Sequence, residues 1–129
     1  MAVVLTAQAF VFADGGISAL GANILNMGVI GALLVGFLMV WARHLIPRTR
    51  TGFLAVVAGG AWIAVMAGAA ATSIELAVSG TVPLLTVLPA MLGVHALIGV
   101  GEAVITVAAV SAILSTRPDL VGRPQVALA

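Results

Sequence analysis

From Ala19 to Ala42 the chain carries no charged residue, and two later stretches, Gly52 to about Val78 and about Leu84 or Pro89 to Leu114, carry one acidic residue each and no basic one. Runs of that length suit one solvent. About 20 apolar residues at about 1.5 Å each cross a hydrocarbon core of about 30 Å, where only helices and closed barrels satisfy their own backbone. With 63% hydrophobic and 7% charged residues and a mean hydropathy of +1.30, the chain lies far outside the soluble range. The expectation is an all-α integral membrane helical bundle with about four transmembrane segments, forming a single transmembrane domain over residues 1–129.

The first apolar run, Ala2 to Ala13, is too short to cross a bilayer and lacks the basic n-region and the small-residue cleavage site of a signal peptide. It reads as the second half of a helix whose start lies upstream, a truncated first segment. Asp14-Gly15-Gly16 breaks it, and Asp is suited to capping the next helix. In the second segment Gly28, Ala32 and Gly36 recur at four-residue spacing, and in the third Gly60, Ala64 and Gly68 do the same. Small residues at that spacing let a neighbouring helix approach closely. The second segment stops at Arg43-His44-Leu45-Ile46-Pro47-Arg48-Thr49-Arg50, and Ser79 to Pro83 turns the chain again. Arginines also follow the last segment, at Arg117 and Arg123, whereas the Asp14 and Ser79–Pro83 turns have none. The positive-inside rule then puts the C-terminus in the cytoplasm, with the N-terminus beside it once the first segment is completed. Net charge is +1 and all five basic residues are arginines that mark topology, so no nucleic-acid partner is indicated.

Two ionisable groups sit inside the last apolar segment. His95 and Glu102 are seven residues apart, about two turns, and share a helix face with Met91, Gly99 and Thr106. A charge at bilayer depth costs on the order of 2.5 to 3.5 kcal/mol on insertion scales, so that face is expected to look into the bundle. There the pair can line a cation path, relay a proton or act as a structural polar lock. Asp14 reads first as a helix cap, Asn23 and Asn26 as interhelical hydrogen-bonding groups, and Glu75 as a solvated or cap-bonded carboxylate before a mouth residue. His44 reads as interfacial, Trp41 as an interfacial anchor, Trp62 as packing and the methionines as packing or lipid-facing filler. There is no cysteine, so disulfides and thiolate metal sites are excluded. There is no lysine either, and a phosphate-cradling Gly-x-x-x-x-Gly-Lys motif needs one. The chain is not expected to be an enzyme, and hydrolysis for any driven transport must come from another subunit.

Three ordered stretches then resemble one family. Gln8-Ala-Phe-Val-Phe-Ala-Asp-Gly-Gly-Ile-Ser-Ala-Leu-Gly-Ala-Asn-Ile-Leu-Asn-Met-Gly28, Glu75-Leu-Ala-Val-Ser-Gly80 and His95-Ala-Leu-Ile-Gly-Val-Gly-Glu-Ala-Val-Ile-Thr106 look like the C-terminal half of the CbiM/NikM family. The ending Arg117-Pro-Asp-Leu-Val121 is similar to the family's tail. These are substrate-binding membrane components of energy-coupling-factor ABC transporters for cobalt and nickel. The resemblance implies Co2+ or Ni2+ as transported substrate, no cofactor, a location in the cell (inner) membrane, and a transmembrane coupling subunit and ATPase subunits as partners. It also implies the last four of about seven helices, in agreement with the arginine topology. In the family the metal is held by a Met-His start and a further upstream histidine, whereas here Met1 is followed by Ala2 and no histidine precedes His44. Asp14, Asn23, His95 and Glu102 carry over as candidate cavity or pathway residues, with no first-shell metal ligand among them.

Three readings follow from this. The chain is a transporter component cut at its start or completed by another polypeptide that supplies the upstream helices. Alternatively it is a non-transporting membrane remnant or assembly partner lacking the metal site. The third reading is a small proton-relay bundle built on His95 and Glu102.

Overall fold

Residues 2–12, 16–42 and 49–121 are described by a computed structural model, and every element among them is helical. Helix α1 (Ala2–Val11) buries Leu5 and Ala9, one turn apart, and leaves its other side open. The next apolar stretch, Leu20–Ala42, runs through three consecutive pieces: a single α-turn, α2 (Leu20–Asn23), a π-helical segment (Ile24–Ile30) and α3 (Gly31–Ala42). It is followed by α4 (Arg50–Val78), α5 (Leu84–Thr116) and a 3-10 turn (Pro118–Val121). Three of the helical stretches, Leu20–Ala42, α4 and α5, are long and apolar enough to cross a membrane. The shorter α1 stands where the truncated first segment was expected.

Each long helix starts and stops where unpaired backbone groups find other partners. At the start of α4, Thr49 is extended and its Oγ1 accepts from the Gly52 N–H at 3.1 Å. At its end Gly80 takes the left-handed conformation (φ +73°), the Thr81 N–H bonds to the Leu76 carbonyl and the Gly80 N–H to the Ala77 carbonyl, both at 3.1 Å. That is a Schellman closure, and a side chain at Gly80 is strained in it. Gly80→Ala is therefore expected to cost about 1–2 kcal/mol, read as a lower midpoint of thermal unfolding followed by tryptophan fluorescence; an unchanged midpoint refutes it. Pro83 (φ -59°) then opens α5, which begins at Leu84 and runs through Pro89. A proline cannot donate, so the Leu85 carbonyl loses its partner one turn earlier, but the helix continues.

Helix α4 is the centre of the bundle. It packs against α5 along one side, and against the π-helical segment and α3 along another. Ser73 is fully buried and Ala69 nearly so, as expected of the middle element. The Ser73 hydroxyl is satisfied by the Ala69 carbonyl of its own helix, 2.7 Å away. The α4/α5 pair is antiparallel and tied at two levels. Arg50 Nη2 donates to Ser115 Oγ at 3.2 Å near one end, and Trp62 Nε1 donates to the Ala96 carbonyl at 3.1 Å in the middle. Trp62 thus packs as expected, and its indole edge lies over Gly99: a Cβ there would sit 2.8 Å from Trp62 Cδ1.

The small-residue stripes are only partly used. Gly60 meets Val35, and Ala64 meets Gly31, so the α4 stripe does receive α3 at close range. On the partner, however, the residues that meet the α4 stripe are Gly31 and Val35, whereas Ala32 and Gly36 of the expected stripe are exposed. The π-helical segment explains the difference. Its wider turn inserts a residue into the spacing, so every position beyond it is rotated relative to an ideal α-helix. Beyond α5, Arg117 grips Asp119 at 2.8 Å, which holds the Asp119 carboxyl below the usual carboxylate range.

Candidate functional site

The polar groups that the bundle brings together lie between the π-helical segment and α4. Within that segment the Gly31 N–H bonds to the Asn26 carbonyl, five residues back instead of four. The extra residue turns Asn26 inward, and the residue is 2% exposed. Its Nδ2 donates to Thr72 Oγ1 at 3.1 Å and to Glu75 Oε2 at 3.0 Å. Thr72 and Glu75 are three residues apart on α4 and so present adjacent groups to one amide. The amide's other atom is left over: Asn26 Oδ1 is buried and accepts no hydrogen bond among the described residues. π-helical turns inside α-helices occur frequently at functional sites, and this one aims a buried amide at a carboxylate.

The residues anticipated from sequence fall in several places. Asn23 is half-buried in α2, three residues before Asn26, and Asn26 makes the interhelical bonds expected of these amides. Glu75, expected first as a solvated or capping carboxylate, is instead held from the facing span. Asp14 lies outside the described residues, as does His44. His95 is half-buried on α5, with Nδ1 2.8 Å from the Met91 carbonyl of its own helix. A carbonyl only accepts, so the proton sits on Nδ1, and in the neutral ring Nε2 keeps its lone pair free. Glu102 is exposed on the same helix, and no hydrogen bond joins it to His95 among the described residues. No group of three or more His, Cys, Asp or Glu side chains with the spacing of a metal site occurs among the described residues.

Sequence reasoning missed Thr72 and the convergence of Asn26 with Glu75. The only available signal was two polar side chains at i and i+3 on α4 opposite an amide. Without the π-helical insertion, nothing in the spacing said which face Asn26 would take.

Comparison with known proteins supplies the family. Residues 1–120 match the family model described as the cobalt uptake substrate-specific transmembrane region. Among curated proteins, the chain is 41% identical over 123 residues to a putative fused nickel transport protein, NikMN, of Archaeoglobus fulgidus, covering 94% of this chain and 40% of that protein. It is 33% identical to a putative metal transport protein of Haloquadratum walsbyi, covering 94% of this chain and 54% of the relative. It is also 33% identical to the cobalt transport protein CbiM of Sorangium cellulosum, covering 96% and 56% respectively. The chain thus spans roughly half the length of the curated relatives it matches. No solved structure matches it. A match over nearly all of the chain, on three helices able to cross a membrane, makes this a multi-pass membrane protein of the CbiM family.

Proposed function

We propose that this chain is the membrane substrate-binding component, or part of one, of an energy-coupling-factor transporter importing cobalt or nickel. The family match over residues 1–120 carries this reading. In it, a separate transmembrane coupling subunit and ATPase subunits supply the drive, since the chain has no lysine with which to build a phosphate loop. The protein resides in the cell membrane with its C-terminus in the cytoplasm, as the arginines favour.

Helix α5 supports a further part of the reading, a polypeptide segment that supplies upstream helices. Glu102 lies about 27 Å from the start of α5 and about 21 Å from its end at 1.5 Å per residue, which is mid-bilayer depth. It is nevertheless exposed. A carboxylate does not face lipid at that depth without a cost of order 2.5 to 3.5 kcal/mol, so protein or a water-filled cavity covers this side of α5. In this reading, helices supplied from the unmatched half of the relatives cover that side, and His95 and Glu102 line the interface as pathway groups.

The test is uptake. Cells lacking their own cobalt and nickel import, given this chain in its native polypeptide context with the coupling and ATPase subunits, are expected to accumulate radiolabelled cobalt or nickel. Accumulation no greater than with the coupling and ATPase subunits alone refutes the proposal and favours the reading as a non-transporting assembly partner.

A further inference from the structure

Helix α5 leaves two unlike faces open. Val94, Ile98, Gly101, Ile105, Ala108 and Ala112 are all exposed and recur at alternating spacings of four and three residues, which places them in one strip along the helix. At about 1.5 Å per residue the strip is about 27 Å long, nearly the depth of a hydrocarbon core. Leu97, Val100 and Val104 are exposed on the other side and have no ionisable neighbour on their face. His95 and Glu102 instead border the strip, one residue after Val94 and one after Gly101, on its edge toward α4. Both lack partners. His95 Nδ1 bonds to the Met91 carbonyl, while its Nε2 and the Glu102 carboxylate bond to nothing among the described residues. Nε2 of a neutral ring and a carboxylate both accept, so each needs a donor. Lipid supplies none at this depth. Water does, but water along the whole strip would wet an apolar surface for its full length.

We propose that this strip seats one transmembrane helix, which presents two hydrogen-bond-donating side chains about two turns apart, one to His95 Nε2 and one to Glu102. The seat is apolar along its length and polar along one edge, so its occupant is an apolar helix whose donors lie on the matching edge. Gly101, Ala108 and Ala112 let the two backbones approach closely over the second half of the contact. The face of Leu97, Val100 and Val104 is left to lipid, because nothing on it needs a partner that lipid lacks. The occupant belongs to the part of the relatives that this chain does not match, since the chain covers 40% of one and 56% of another. That identification rests on the function proposed above; the seat itself follows from α5.

The experiment places nitroxide labels on both faces. The chain has no cysteine, so each single substitution carries one label. The protein in its native polypeptide context is reconstituted in phospholipid vesicles, and electron paramagnetic resonance reads collisions of the label with O2, which concentrates in lipid, and with a water-soluble nickel chelate. Labels at Ile98→Cys and Ile105→Cys are expected to be immobilised, to meet O2 at least threefold less often than labels at Leu97→Cys and Val104→Cys, and to be shielded from the chelate. Equal O2 access at all four positions means that lipid covers the strip, and ready chelate access at Ile98→Cys and Ile105→Cys means that water does; either overturns the seat. A second measurement needs no label. Glu102 is exposed on this chain, so Glu102→Leu disturbs no contact within it; with a donor stranded on the occupant, the midpoint of thermal unfolding is expected to fall by about 4 °C or more. Glu102→Gln still accepts and is expected to lie closer to the wild type. Lipid over the strip predicts the opposite sign for Glu102→Leu, so a midpoint at or above the wild-type value overturns the donor contact. Uptake is read separately: a strip open to lipid or water in a transporter that takes up cobalt or nickel counts against the seat alone, whereas absence of wild-type uptake counts against the transport reading.

Discussion

Gly99→Ala is expected to loosen the α4/α5 seam by about 1–3 kcal/mol, the usual cost of forcing an extra methyl into a filled contact. The added Cβ would lie 2.8 Å from Trp62 Cδ1 and 3.3 Å from Trp62 Nε1, and a rigid indole cannot yield as the end of a flexible side chain can. Moving the ring also breaks its 3.1 Å hydrogen bond to the Ala96 carbonyl, worth about 1 kcal/mol. Gly99→Val extends the same clash. Because the chain has only two tryptophans, a Trp41→Phe background leaves Trp62 as the sole indole reporter of this contact. Thermal unfolding in that background should show a lowered midpoint and altered Trp62 emission for Gly99→Ala. In a separate double-mutant cycle followed by circular dichroism, Trp62→Phe should recover part of the loss, with a coupling energy of about 0.5–3 kcal/mol. Additive effects of Gly99→Ala and Trp62→Phe rule out the close approach as the cause.

Asn26→Leu is expected to be costlier than the hydrogen bonds it removes. Interhelical hydrogen bonds in membranes average only about 0.6 kcal/mol in double-mutant cycles, so the two lost bonds account for little. The carboxylate left behind matters more. Stripping the donor from a half-buried Glu75 exposes its full desolvation penalty, about 1–3 kcal/mol for an ordinary polar group and more for a charged one. Removing the charge as well should relieve most of that penalty. Asn26→Leu combined with Glu75→Met is therefore expected to be more stable than Asn26→Leu alone by at least about 1 kcal/mol, measured by thermal unfolding in detergent. A double variant no more stable than the single one shows that shape at the π-helical segment, and not the stranded carboxylate, governs this contact.

Both effects rest on contacts that residue spacing alone foreshadowed unevenly. Trp62 was legible as a packing residue and Gly99 as a small one on the His95/Glu102 face, but their meeting depends on the axial offset of α4 against α5. No sequence pattern encodes that offset. Asn26 was legible as an interhelical amide, yet its partners were not, because an α-helical projection of Leu20–Ala42 places the small-residue face on Gly28, Ala32 and Gly36. The π-helical turn moves it to Gly31 and Val35. His95 and Glu102 drew attention in the sequence because ionisable groups in an apolar run are costly, and α5 carries both without joining them.

What the sequence determined by itself is the class of the molecule and the limits of its parts. Apolar runs with at most one acidic residue, about twice the length that a barrel strand needs to cross a bilayer, satisfy their backbone there as helices, and Pro83, Gly80 and Thr49 end and begin those helices through local backbone chemistry. The same residues, read in order, already resembled the family that residues 1–120 match. Only the tertiary structure decided which polar groups meet. The hydrophobic pattern of a bilayer helix is nearly uniform around its circumference, so it does not select a face; rotation and depth are set instead by close approach of small residues, a single inserted residue and a few hydrogen bonds between Asn26, Thr72, Glu75, Trp62 and Ala96.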